Sequence, residues 1–392
     1  MHSNLTSHIT KLDMATWFGF IIFAMSSIVT PLCLPEIIKS IPTSLSEIGS
    51  IETGRNIVVL LILILASILV QLWSKQRFIS QGQLLIAFGL FVASFSQNYL
   101  MLVVSLMIIG LGGGLTEAFL NPLVVDIHSR NSGKYLNLSN AFYPIGVMGS
   151  SIIFGELLTL GYSWRIIFRI AAGAAMLVAL LFSFLNFPRH VTEKRISMKI
   201  YSKIFAKAEF WLFAFAIFLA GGIESAFSFW GRTYVENYFS DVPRAGAIAI
   251  MIFAASMAGG RLLTSYISAN FSLRKILMSS TILGVGIGFG IPFATNLAEF
   301  YALIALAGFA TACFWPTILS EANSSLDENT TTLFILLASS GVIGFGITPW
   351  IMGIIADNSN LMGSFFVVPF SFIGLLLILS VQKKITIDKL VE

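Results

Sequence analysis

Long apolar runs separated by short polar stretches set the pattern of this chain. The runs fall at about 14–34, 52–73, 80–97, 99–125, 137–160, 166–187, 208–231, 244–267, 275–296, 298–320, 331–355 and 361–382. Each is long enough for an α-helix that crosses ~30 Å of hydrocarbon. The longest polar interruption, Pro188–Lys207, follows the sixth run. The pattern predicts an all-α membrane protein of twelve transmembrane helices in two six-helix pseudo-repeats: an N-terminal half 1–187, a basic cytoplasmic linker 188–207 and a C-terminal half 208–392. A shift of 194 residues supports the repeat, since Gly114, Thr116 and Pro122 then meet Gly308, Ala310 and Pro316, and Trp17 meets Trp211. The same shift brings Glu117 onto Thr311 and Asn121 onto Trp315.

Composition agrees with lipid as the solvent. The chain is 56% hydrophobic and 11% charged, against about 25% charged in soluble domains. The net charge of +4 reads as a topology signal and not as a footprint for nucleic acid. Of the 23 Lys and Arg residues, sixteen fall in loops on the side of the termini, six on the opposite side, and Arg261 near a helix end. Cytoplasmic loops carry the excess of positive charge, so both termini are expected in the cytoplasm. The basic linker reads as a solvated, positive-inside segment, with a short amphipathic helix on the inner membrane face as the alternative. No cleavable leader is expected, because the first thirteen residues are polar and the run after them is long enough to span. With short loops, this suits an integral protein of a plasma membrane, specifically a bacterial inner membrane. Cys33 and Cys313 fall in apolar segments and read as small buried hydrophobes.

Charged groups inside such runs are the candidate chemistry, because a charge at the centre of a bilayer helix costs about 2.5–3.5 kcal/mol by insertion scales and usually faces a pathway. Glu117 lies in Gly112-Gly113-Gly114-Leu115-Thr116-Glu117-Ala118-Phe119-Leu120-Asn121-Pro122. Asn121 is four residues on and shares its face. Pro122 removes a backbone bond and its ring opposes the carbonyl of Ala118, which is expected to loosen the helix beside the acid. The glycines allow close helix approach. In the fifth run, Asn137, Asn140 and Tyr143 stand at i, i+3 and i+6. Amide and phenol groups beside aromatics suit a sugar, whose hydroxyls bond amides and whose C–H face stacks on rings. Interhelical hydrogen bonding is the competing use of such Asn residues.

The second half holds Glu224 in Gly221-Gly222-Ile223-Glu224-Ser225-Ala226-Phe227-Ser228-Phe229-Trp230. Phe227 and Trp230 offer stacking surfaces near it, and Arg232 is the partner it would take in a purely structural role. Trp315, in Phe314-Trp315-Pro316-Thr317, marks a break in the tenth run and either packs in the core or caps a cavity. Arg55 either binds an anionic group or pairs with Glu52. Glu156 lies near the outer exit of the fifth run, and His128, beside Arg130, reads as interfacial. The series Gly341, Gly344, Gly346, Pro349 and Gly353 suits a helix that packs closely and bends. Walker loops, histidine metal clusters and nucleophile elbows are absent from the sequence, so a transporter is expected and not an enzyme. No cofactor or metal is expected, with the proton as coupling ion.

These segments together resemble the fucose:proton symporter family of the major facilitator superfamily. Glu117-x-x-x-Asn121-Pro122 is similar to its fourth-helix signature, and Leu136-Asn137 through Asn140, Phe142 and Pro144-Ile145-Gly146 to its sugar-binding fifth helix. Gly222-Ile223-Glu224 with Trp230, Tyr234 and Tyr238 looks like the seventh helix of wider relatives. Phe314-Trp315-Pro316-Thr317-Ile318 and Met352-Gly353-Ile354-Ile355-Ala356-Asp357 look like the tenth and eleventh. The resemblance implies proton-coupled uptake of a monosaccharide by alternating access, with Glu117 as the protonation site and Asn140 as a sugar-binding amide. The family's helix-one acid has no counterpart, since no Asp or Glu lies between Asp13 and Glu36. The expected site is therefore Glu117 and Glu224 for protons, and Asn121, Asn140, Tyr143, Phe227, Trp230 and Trp315 for a small-molecule substrate, in a monomer surrounded by lipid. A major-facilitator exporter or importer of another small organic solute is the alternative.

Overall fold

The computed structural model describes residues 10–69, 74–128, 135, 138–185, 198–267, 271–326 and 330–391. Asn137 and linker residues 188–197 lie outside this set. The described residues form helices and no strand. These are α1 (Lys11–Ser40), α2 (Leu45–Leu69), α3 (Lys75–Ala93), α4 (Tyr99–Ile127), α5 (Phe142–Thr159), α6 (Trp164–Phe184), α7 (Ala208–Tyr238), α8 (Pro243–Ile267), α9 (Leu273–Gly290), α10 in two segments (Leu297–Thr311 and Phe314–Leu326), α11 (Thr330–Asn358) and α12 (Val367–Val391). A short helix, Met198–Phe205, occupies the end of the linker.

Local chemistry fixes the ends. Thr10 and Asp13 cap α1 reciprocally, with Thr10 N donating to Asp13 Oδ2 at 2.8 Å and Asp13 N to Thr10 Oγ1 at 3.3 Å. Asn98 and Asn296 accept from the third residue of α4 and α10, at 2.9 and 3.0 Å. Gly161, at φ +85°, turns the chain between α5 and α6.

Eleven helical spans among the described residues are long and apolar enough to cross a membrane. Helix α3 is not one of them, because its first turns carry Lys75, Gln76, Arg77, Gln81 and Gln83. It begins five residues before the predicted run, where Ser74 caps it. The tenth run breaks at Ala312–Cys313, just before Trp315 and Pro316, as its sequence predicts. Pro122 does not interrupt α4. One backbone bond is lost there, and the helix runs on with Leu120, Leu123 and Val124 buried around the proline.

Helices from the two sequence halves meet in three pairings: α1 with α7, α2 with α11, and α5 with α8. Glycines make these contacts close. A Cβ on Gly49 would stand 2.5 Å from the Pro349 carbonyl oxygen, and one on Gly353 2.4 Å from that of Leu45. Polar ties gather at the end where α1 finishes and α2 starts. Asp357 accepts from Leu45 N and Ser46 N, each at 2.8 Å. Arg244 donates twice to Glu156 at 2.7 Å, and buried Arg232 pairs with Glu36 and Glu236. At the other end, ion pairs among the described residues include Lys75 with Asp126, His128 with Asp13, and Arg274 with Glu321, each within a half.

Candidate functional site

A cavity of about 60 Å³ lies where the halves meet. Six helices wall it, through Ser27 and Pro31 of α1, Glu52 of α2, Tyr143 of α5, Glu224 and Ser228 of α7, Met257 and Arg261 of α8, and Phe345 of α11. The space holds a few waters and is too small for a hexose, so a solute enters only when the helices part.

Three charged side chains line this space: Glu52, Glu224 and Arg261. Glu52 and Arg55 are both buried and paired, with Arg55 Nε donating to Glu52 Oε2 at 3.0 Å. Asn56 Nδ2 adds a bond to Glu52 Oε1 at 2.8 Å. Arg55 thus takes the structural of its two predicted roles. Glu224 faces the cavity, with Trp315 beside its carboxylate and Arg261 its cationic neighbour. It does not pair with Arg232, which Glu36 and Glu236 occupy.

Glu117 is half-buried one helix away, with Arg55 as its cationic neighbour. Among the described residues it makes no hydrogen bond or ion pair, and it is not among the residues that line the cavity. The three glycines before it are a packing junction. A Cβ on Gly112 would lie 2.3 Å from the Gly82 carbonyl oxygen on α3, and one on Gly114 2.9 Å from Ile62 on α2. Gly113 faces Phe23 of α1. Tyr143 brings its phenol to the cavity wall beside Ser27, with its ring 5.6 Å from Phe23.

The remaining predicted residues are arranged differently. Asn140 is exposed and donates its amide to Asn121 Oδ1 at 2.8 Å. The two amides bond each other and are not among the residues that line the cavity. Trp230 is fully buried and donates Nε1 to the Pro349 carbonyl at 3.1 Å. It ties α7 to α11 and presents no face to solute. Phe227 stands behind the wall, with its ring 5.2 Å from that of Phe253, which lines the cavity in its place. Trp315 packs its ring over Gly341 while keeping its edge near Glu224.

Several lining residues were not singled out by the sequence reading: Ser27, Ser228, Phe253, Met257 and above all Arg261. Arg261 carried the same signal as the two acids, a charge inside an apolar run. Its nearness to the helix end disguised it as an interfacial cation.

Residues 16–297 match the Major Facilitator Superfamily, and the chain belongs to that family of membrane transporters. It is similar to the L-fucose-proton symporter of Escherichia coli (strain K12), 24% identical over 384 residues, covering 87% of this chain and 86% of the symporter. The crystal structure of that symporter in the outward conformation superposes with a TM-score of 0.66 at 19% identity, covering 94% of this chain and 98% of the other. Nucleoside transporter NupG gives 0.78 at 13% identity over 95% of this chain and 98% of its own. An inward-facing bacterial homolog of the human lysosomal transporter Spinster gives 0.77 at 13% identity, covering 94% of each chain.

Proposed function

We propose that this protein is a proton-coupled carrier that takes up a monosaccharide by alternating access. The observation that carries the reading is the placement of Glu224 and Tyr143 on a cavity walled by helices of both halves, which polar ties join at one end. A carrier needs such a space, opened to one side at a time by rocking of the halves. The fucose symporter's proton coupling and sugar substrate support the coupling ion and substrate class.

In this reading twelve spans form two six-helix halves, 1–187 and 208–392, joined by the basic linker, in a monomer with both termini cytoplasmic in a bacterial inner membrane. The joined end then faces outward. Glu117 and Glu224 carry the proton, because a buried carboxylate is costly while charged and cheap once neutral. Neutralising it lowers the barrier to closing a dry cavity. Hydroxyls of Tyr143, Ser27 and Ser228 bond the sugar, with Trp315 at the rim. The proton is the coupling ion and no cofactor takes part.

Uptake into proteoliposomes tests this across labelled monosaccharides under an inward proton gradient. Gradient-driven uptake that Glu117→Gln or Glu224→Gln abolishes, with exchange retained, is the expected result. No sugar uptake by the wild type overturns the sugar reading and leaves a carrier of another organic solute.

A further inference from the structure

Arg261 is the charged group that sugar transport leaves without a role. Side chains on a helix lean toward its N-terminus, and the guanidinium of Arg261 reaches back one turn along α8, with Nη2 3.8 Å from Met257 Sδ. That orientation brings it to the cavity wall near Glu224 and away from the helix end. A thioether is a weak acceptor, and Nε of Arg261 is buried with no hydrogen-bond partner among the described residues. Nor does Arg261 form an ion pair among them.

The other charges of the cavity do not fill this gap. Glu52 is taken by Arg55 and Asn56. Glu224 acts on Arg261 through space, without a bond between them. Arginine stays charged in any protein setting, and its planar fork of N–H donors matches a carboxylate in two-pronged fashion. The cavity wall therefore carries a permanent cation whose buried Nε has no acceptor among the described residues and whose Nη2 meets only a thioether. Leaving such a group unpaired in a low-dielectric site is costly, and an incoming anion relieves that cost.

We infer that the cavity takes an anionic solute and that Arg261 holds its carboxylate. Within the sugar reading, on which the narrower statement rests, the substrate is an acidic monosaccharide of the hexuronate class. The other walls suit the rest of such a molecule. Ser27, Tyr143 and Ser228 offer hydroxyls to its ring hydroxyls, and Phe253 offers a face to its C–H side. If Arg261 served only to balance Glu224, its removal would depress acidic and neutral solutes alike.

Counterflow exchange of the full-length protein in liposomes separates these cases, using labelled pairs that differ at one group: galactose with galacturonate, glucose with glucuronate, and propanediol with lactate. The acid of a sugar pair is expected to exchange at least tenfold faster than its neutral mate. Arg261→Gln is expected to bring that ratio near one, and Arg261→Lys to keep part of it. Faster exchange of the neutral sugar, or an acid preference that Arg261→Gln leaves intact, overturns the inference while sugar transport stands. An Arg261-dependent preference confined to lactate keeps the anion site and overturns the sugar reading. Exchange of none of the six overturns both. Where Arg261→Gln does not fold, the wild-type ratio still decides, since a value at or below one overturns the anion site.

Discussion

Asp357 caps the helix that Leu45 begins. Its two carboxylate oxygens accept the N–H groups of Leu45 and Ser46, each at 2.8 Å, from the far end of α11. Ser44 satisfies the next donor, Glu47 N, at 3.1 Å. The first turn of α2 is thus completed by two halves of the chain at once, and its capping energy becomes a force between them. A cap of this kind contributes about 1 kcal/mol. Asp357→Ala is expected to lower the ratio of closed to open at this end roughly fivefold. Spin labels at Pro42→Cys and Ser359→Cys, in a background with Cys33 and Cys313 replaced by Ala, would read the change as a longer and broader distance distribution. An unchanged distribution would show that the cap does not hold the halves.

Arg244 and Glu156 join the same end with better geometry and less effect. Their two bonds of 2.7 Å are bidentate, but the side chains are 53% and 44% exposed. Exposed ion pairs contribute about 0–1 kcal/mol and weaken with salt. Glu156→Gln is therefore expected to move the spin-label distances less than Asp357→Ala does, and 1 M salt to remove the difference from wild type. A larger shift than that of Asp357→Ala would mean that the pair is shielded from water in the closed state.

Glycines set how closely the helices approach, and two of them make opposite predictions. A Cβ on Gly344 of α11 would lie 1.9 Å from the backbone oxygen of Phe218 on α7. Neither backbone can yield without parting the helices, and overpacking of this kind costs about 3 kcal/mol or more. A Cβ on Gly173 of α6 would meet nothing within 4 Å. Gly344→Ala is expected to lower the thermal midpoint of the purified protein sharply, while Gly173→Ala stays within about 1 kcal/mol of wild type. Equal midpoints in a fluorescence-detected size-exclusion melt would contradict the packing argument.

The periodicity of apolar runs revealed nearly every span, because lipid demands long uncharged helices and leaves few other solutions. Helix α3 blurred that signal with its polar first turns. Glu117 and Glu224 were legible for the same reason the spans were, since an acid in an apolar run is conspicuous. Contacts between distant helices were not legible. Nothing local tells that Trp230 turns its indole to the Pro349 carbonyl rather than to solute. The position of Arg261 in sequence fixes its depth along α8 but not the backward lean that takes its guanidinium to the cavity wall. Phe227 and Phe253 are both aromatic, and only the packing of α7 on α8 decides which one lines the wall.

Asn121 and Asn140 carry the last test, because sequence and structure read them differently. As ligands for a sugar, each would contribute its own bonds, and their losses would add in the binding free energy. In the structure they hold each other at 2.8 Å across α4 and the start of α5. Residues in direct contact are non-additive, and amide pairs between membrane helices contribute about 0.6–2 kcal/mol. A double-mutant cycle on thermal stability is expected to give a coupling in that range. Solute exchange by the single variants is expected to fall by less than about threefold, since neither amide reaches the wall that Tyr143 and Glu224 share. A loss of exchange above tenfold in Asn140→Ala, without a matching loss of stability, would return the amide to the substrate site. It would also mean that α5 turns toward the cavity when solute binds.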